Sequence, residues 1–151
     1  MSHKSQLIAE RVASLAGGTL DARYLGYFDC FNRQLFYEAH EVLETLLLPQ
    51  WQGPNGAFYK GLIQMAGAFV HWQKNRPGPA AALFKLAQTN LRKYPAIHEG
   101  LSVKNVLAVT DEWLSQVTAA PPRAFPAAPT GAPQLRLEGP GQGCDQGGGG
   151  E

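Results

Sequence analysis

Cysteine is almost absent. Only Cys30 and Cys144 occur in 151 residues, and neither has the paired spacing of a zinc site or a disulfide framework, so both read as reduced thiols. Charge of one sign is lacking too. The 13 Lys and Arg are scattered and opposed by 12 Asp and Glu, which leaves no basic footprint for a phosphate backbone, and nucleic acid is not an expected partner. Long apolar runs are also missing: no stretch reaches the roughly 18 residues of a membrane span. Lys4, Glu10 and Arg11 interrupt residues 1–16, so no signal-peptide core is expected, no membrane association either, and the expected location is cytoplasmic. No glycine-rich phosphate loop, nucleophile elbow or redox cysteine pair occurs.

What is present is 44% hydrophobic residues, enough for one core, recurring at helical and not strand spacing. The spacing predicts a first helix capped by Thr19 that carries Leu20, Tyr24, Tyr27, Phe28 and Phe31 on one face and ends at Asn32 and Arg33. Further helices are predicted over 35–48, 57–74, 79–94 and 102–118, with Pro49, Gly53, Pro54, Gly56, Pro77 and Pro79 as punctuation. From Ala119 onward six prolines and a run of four glycines leave Phe125, Leu135 and Leu137 as the main apolar anchors, a composition that cannot offset its ordering entropy. The expected organisation is an N-terminal arm or short helix over 1–18, a helical bundle over 19–118 and a disordered tail over 119–151.

The third helix has almost no polar side: Phe58, Leu62, Ile63, Met65, Ala66, Phe69, Val70 and Trp72 surround it, which makes it the central helix. Its Gly61 and Gly67 each cost up to ~1 kcal/mol of helix stability, so a closely approaching neighbour is the expected compensation. At an offset of 41 residues Phe28, Phe31, Ala39, Val42 and Leu43 are echoed by Phe69, Trp72, Ala80, Leu83 and Phe84, as two helical hairpins of one design would require. The predicted fold class is therefore all-α, a compact bundle of four to five antiparallel helices built from two helical hairpins.

Chemistry concentrates in the second helix. Leu35, Phe36, Ala39, Val42, Leu43 and Leu46 form its apolar face, which leaves His40, Glu41 and Glu44 on the other. Tyr37, Glu41, Glu44 and Leu48 follow i, i+4, i+7, i+11 spacing, so an aromatic and an aliphatic group bracket two carboxylates. The central helix places Lys60, Gln64, Gly67, His71 and Lys74 on one polar stripe, and an unpaired buried amide or imidazole costs about 1 to 3 kcal/mol. The carboxylates of the second helix are its expected counterpart. Three readings follow. His40, Glu44 and Gln64 hold a divalent metal ion; Glu38, Glu41 and His71 do acid/base work; or the set forms helix-stabilising pairs and satisfied core groups. His98 and Glu99 read as loop residues.

The run Phe31-Asn32-Arg33, Phe36-Tyr37-Glu38-Ala39-His40-Glu41-Val42-Leu43-Glu44, then Gly61-Leu62-Ile63-Gln64-Met65-Ala66 resembles the signature of the domain of unknown function 309 family. The resemblance spans residues 24–94. It implies a small all-helical protein and a metal-dependent hydrolase of unstated substrate, with Glu38, His40, Glu41, Glu44 and Gln64 at the matching polar positions. Leu47 and Leu48 stand where many relatives have a tryptophan. In the hydrolase reading, the ion activates a water and the remaining carboxylate takes its proton. The alternative is a tetratricopeptide-like hairpin module that binds a partner peptide or protein, with the acidic stripe receiving basic residues.

Overall fold

Aspartate at position 21 fixes where the helices begin in the computed structural model, which describes residues 20–119 and 133–137. Its Oδ1 accepts from the Arg23 amide at 2.8 Å and caps α1, Ala22–Asn32. The predicted cap Thr19 lies outside the described residues, as does the arm over 1–18. The remaining helices are α2, Phe36–Leu47; α3, Gly56–Gln73; α4, Pro77–Leu91; and α5, Val103–Ala119. α4 starts two residues before the prediction because proline is tolerated in a first turn, where the backbone donor is unused. It also stops three residues before Tyr94, which frees that side chain for another role described below.

The helices pack in chain order, α1 on α2, α2 on α3, α3 on α4 and α4 on α5. This is the expected all-α bundle of two hairpins closed by a fifth helix. The 41-residue echo extends to the main chain. Gln34 (φ 65°) and Asn75 (φ 61°) both take the left-handed conformation. Around them Gln34 N donates to Phe31 O and Leu35 N to Cys30 O, as Asn75 N does to Trp72 O and Arg76 N to His71 O. Each hairpin therefore ends its first helix in the same Schellman motif.

α3 is central, as its all-round apolar character predicts, with Phe58, Leu62, Met65, Ala66 and Phe69 fully buried. A Cβ on Gly61 would stand 2.9 Å from Leu91 Cγ and 3.2 Å from Ala87 O. The absent side chain is what lets α4 approach.

Two features differ from the expectation. The 95–101 connection contains an antiparallel hairpin, β1 (Ile97–His98) and β2 (Leu101–Ser102). It turns through Glu99 (φ 51°) and Gly100 (φ 73°), two successive positive φ values of the kind a tight hairpin turn requires. Within the stretch read as a disordered tail, residues 133–137 lie against the bundle. Leu135 is 2% exposed and Leu137 bridges Leu101. Two of the three apolar anchors are thus the residues that seat. Residues 120–132 and 138–151 lie outside the described residues.

Candidate functional site

α2 turns Phe36, Ala39, Val42, Leu43 and Leu46 into the core, as its spacing predicts. Its outer face carries Tyr37 at 56% exposure, half-buried His40, Glu41 and Glu44, and Leu48 at 63%; Trp51, also 63% exposed, follows after the 3-10 turn Leu48–Gln50. The His40 ring lies over Tyr37, with centroids 5.8 Å apart and planes at 25°. Tyr37's hydroxyl is held above its ordinary pKa chiefly by the charge of Glu41, then by desolvation, by its hydrogen bond to that carboxylate, and by the charges of Glu44 and Glu38. The ion pairs among the described residues are Arg23–Asp21 and Arg33–Asp29. Glu41 and Glu44 take part in neither. Glu38 differs: it is buried and partnered in the first turn of α2, where the helix dipole favours a carboxylate.

The structure brings Tyr37, His40, Glu41 and Glu44 together on one face, but it sends Gln64 elsewhere. Gln64 Oε1 accepts from Asn90 Nδ2 at 2.8 Å, so its counterpart is an amide of α4 and not a carboxylate of α2. The cause is visible at Gly67 on the same stripe, where an added Cβ would meet Leu83 Cδ1 at 3.3 Å: this is the side on which α4 packs. His71 shares that stripe. Among the described residues no group of three or more His, Cys, Asp and Glu is placed to share a metal ion. Of the predicted ligand set, His40 and Glu44 share the outer face of α2, while the Gln64 oxygen accepts from Asn90.

The Nδ1 atoms of His40 and His71 are buried without a hydrogen-bond partner among the described residues. His71's pKa is lowered, first by desolvation and then by Arg76 and Lys74. A depressed imidazole pKa means that the folded state holds fewer protons than the unfolded chain below the ordinary value, so stability falls as pH drops through that region. The urea midpoint is expected to decrease between about pH 7.5 and 5.5, and to decrease less in His71→Gln. Equal slopes for the two proteins would assign the pH dependence to another group.

A second polar assembly escaped the sequence reading. Asn55 precedes α3 in N-cap position but makes no cap bond. Instead Tyr94, just beyond α4, accepts from Phe58 N at 2.9 Å and donates to Pro54 O at 2.8 Å. The amide of Asn55 is thereby released: its Nδ2 donates to Glu99 Oε2 at 2.9 Å, and its Oδ1 lies 2.7 Å from His98 Nε2. An amide oxygen only accepts, so His98 carries its proton on Nε2. Tyr24's hydroxyl adds a bond to Glu99 O at 2.9 Å. His98 is further packed against both Phe58 and Tyr94, which also touch each other. The Glu99-Gly100 pair was the available signal for this turn. Nothing local pointed to Asn55.

No helix among the described residues is long and apolar enough to cross a membrane. No curated protein and no solved structure matches the chain. Residues 24–83, which hold most of α1, all of α2 and α3, both Schellman turns and the first half of α4, match the family model described as Domain of unknown function (DUF309). Through these residues, 60 of the chain's 151, the protein is similar to the domain of unknown function 309 family.

Proposed function

We propose that this protein is a helical-hairpin interaction module that receives a basic segment of a partner protein on the outer face of α2. The observation that carries the reading is the exposure of Tyr37, Leu48 and Trp51 around Glu41 and Glu44, two carboxylates without an ion pair among the described residues. Aromatic side chains on a solvated face supply the apolar contact area typical of binding hot spots. Carboxylates without a cationic partner offer acceptor oxygens to an arginine fork. The buried face of α2 is already used by α1 and α3, which leaves this side for a partner.

An arginine-rich helical peptide titrated into the full chain is expected to bind and to change tryptophan emission through Trp51. Glu41→Lys with Glu44→Lys should weaken that binding at least about tenfold at low salt, with little change in thermal stability because both positions lie outside the core. Affinity indifferent to the double reversal would remove the reading. The hydrolase reading implied by the family resemblance has one observation in its favour, the unbonded Nδ1 of His40 beside these carboxylates. Zinc, manganese or iron bound stoichiometrically and lost in Glu44→Ala would move the assignment to it.

A further inference from the structure

Asn32, at the last position of α1, spends its whole side-chain amide on a residue 103 positions away. Its Nδ2 donates to Leu135 O at 2.7 Å and its Oδ1 accepts from Leu135 N at 2.7 Å. This two-way pairing imitates one rung of an antiparallel ladder, in which opposed residues exchange both hydrogen bonds. It reads main chain and is blind to side-chain identity. Gln134 Nε2 adds a bond to Asn32 O at 2.9 Å and so satisfies a carbonyl that the end of α1 leaves unpaired. Two residues further on, Leu137 forms an antiparallel bridge with Leu101 on the edge of β2 away from β1. Leu135 is buried, Arg136 exposed and Leu137 half-buried, the alternation of a strand laid on an apolar surface.

We propose that the end of α1 and the outer edge of β2 form a docking site for an extended segment with leucine at alternate positions, and that residues 134–137 of this chain are its exchangeable occupant. The chemistry is strand addition: main-chain pairing supplies affinity, and the seat of Leu135 supplies selectivity. Arg136, the one charged residue of the segment, is exposed, so recognition is apolar and main-chain in character. Residues 120–132 tether the segment to α5. Because the tether makes docking intramolecular, a contact of four residues stays filled at an affinity that a free peptide would show only at high concentration. A competing strand of the same pattern can therefore displace it. Asn32 and Leu101 lie off the α2 face, so this site stands or falls apart from the module reading.

The probe is a labelled synthetic peptide copying residues 131–139, titrated into full-length protein. A chain whose own segment is unseated by Leu135→Asp and Leu137→Asp is expected to bind it at least about tenfold more tightly than the unaltered chain, where the tethered copy competes. Adding Asn32→Asp to that variant places a second acceptor where the Leu135 carbonyl needs a donor, and binding should be lost. Equal affinity for the unseated and unaltered chains, with helical content retained in both, would overturn the proposal. Should the unseated chain fold poorly, the unaltered chain decides: its Leu135 amide should exchange with solvent at least about tenfold more slowly than that of Arg136, and excess unlabelled peptide should remove the difference. An unprotected Leu135 amide, or protection that excess peptide leaves unchanged, overturns it equally.

Discussion

Phe69→Ala is expected to lose about 3 to 5 kcal/mol of stability, the range for truncating a fully buried aromatic side chain. The reason is position. The Phe69 ring meets one aromatic from every other described helix: Phe31 of α1 at 5.5 Å, Phe36 of α2 at 5.0 Å, Phe84 of α4 at 5.1 Å and Trp113 of α5 at 5.2 Å, with Trp72 of α3 at 5.9 Å. Phe36 stacks on it at 23°, while the others approach edge to face, and such pairs add roughly 0.5 to 1.5 kcal/mol beyond the area they bury. A domain of this size has a total stability of about 5 to 15 kcal/mol. The substitution should lower the melting temperature by at least roughly 12 °C, at about 4 °C or more per kcal/mol. Thermal unfolding followed by circular dichroism measures it, with Phe69→Leu as the milder control. A drop of only a few degrees would mean that the five helices do not share this ring.

The same convergence shows how much could be read from the sequence. Four of the five described helices carry a one-sided apolar stripe at helical spacing and the third is apolar all round, Pro and Gly punctuate every junction but the one between α1 and α2, and the helix ends fell within about three residues of the expected positions. The echo between Phe28 and Phe69, and between Phe31 and Trp72, marked two hairpins, and the paired left-handed residues Gln34 and Asn75 carry that likeness into the backbone. Gly61 announced the close approach of some neighbouring helix, because an uncompensated glycine in a helix is unfavourable, and that neighbour is α4. What could not be read is pairing between elements. The stripe through Gln64 showed that a polar partner was needed, but periodicity does not say which neighbour supplies it, and Asn90 does. The β1–β2 hairpin has two-residue strands, too short for alternation to register. The segment's partners, Asn32 for Leu135 and Leu101 for Leu137, are distant in the chain, so composition alone could not place it against the bundle.

Gly56→Ala should be the most damaging single-methyl addition near the proposed binding face. After the 3-10 turn the chain folds back through Gly53 N to Gln50 O at 2.8 Å and Gly56 N to Gly53 O at 3.0 Å. A Cβ on Gly56 would fall 2.0 Å from Trp51 O and 2.7 Å from Trp51 C. The obstructing atoms are main chain, which cannot turn aside as a side-chain tip can, so either the turn opens or α3 starts later. Overpacking of this kind costs about 1 to 3 kcal/mol. The damage should also reach function, because the turn sets the position of Trp51 on one side and of Asn55, with its bonds to Glu99 and His98, on the other. Gly67→Ala is the matched control. It meets only Leu83 Cδ1 at 3.3 Å, a side-chain end free to rotate, and gains up to about 1 kcal/mol of helix propensity. Measured side by side, Gly56→Ala should melt lower and bind the arginine-rich peptide more weakly, while Gly67→Ala keeps both properties near those of the parent. If the two variants behave alike, the folded-back turn does not hold Trp51, and the outer face of α2 ends at Leu48.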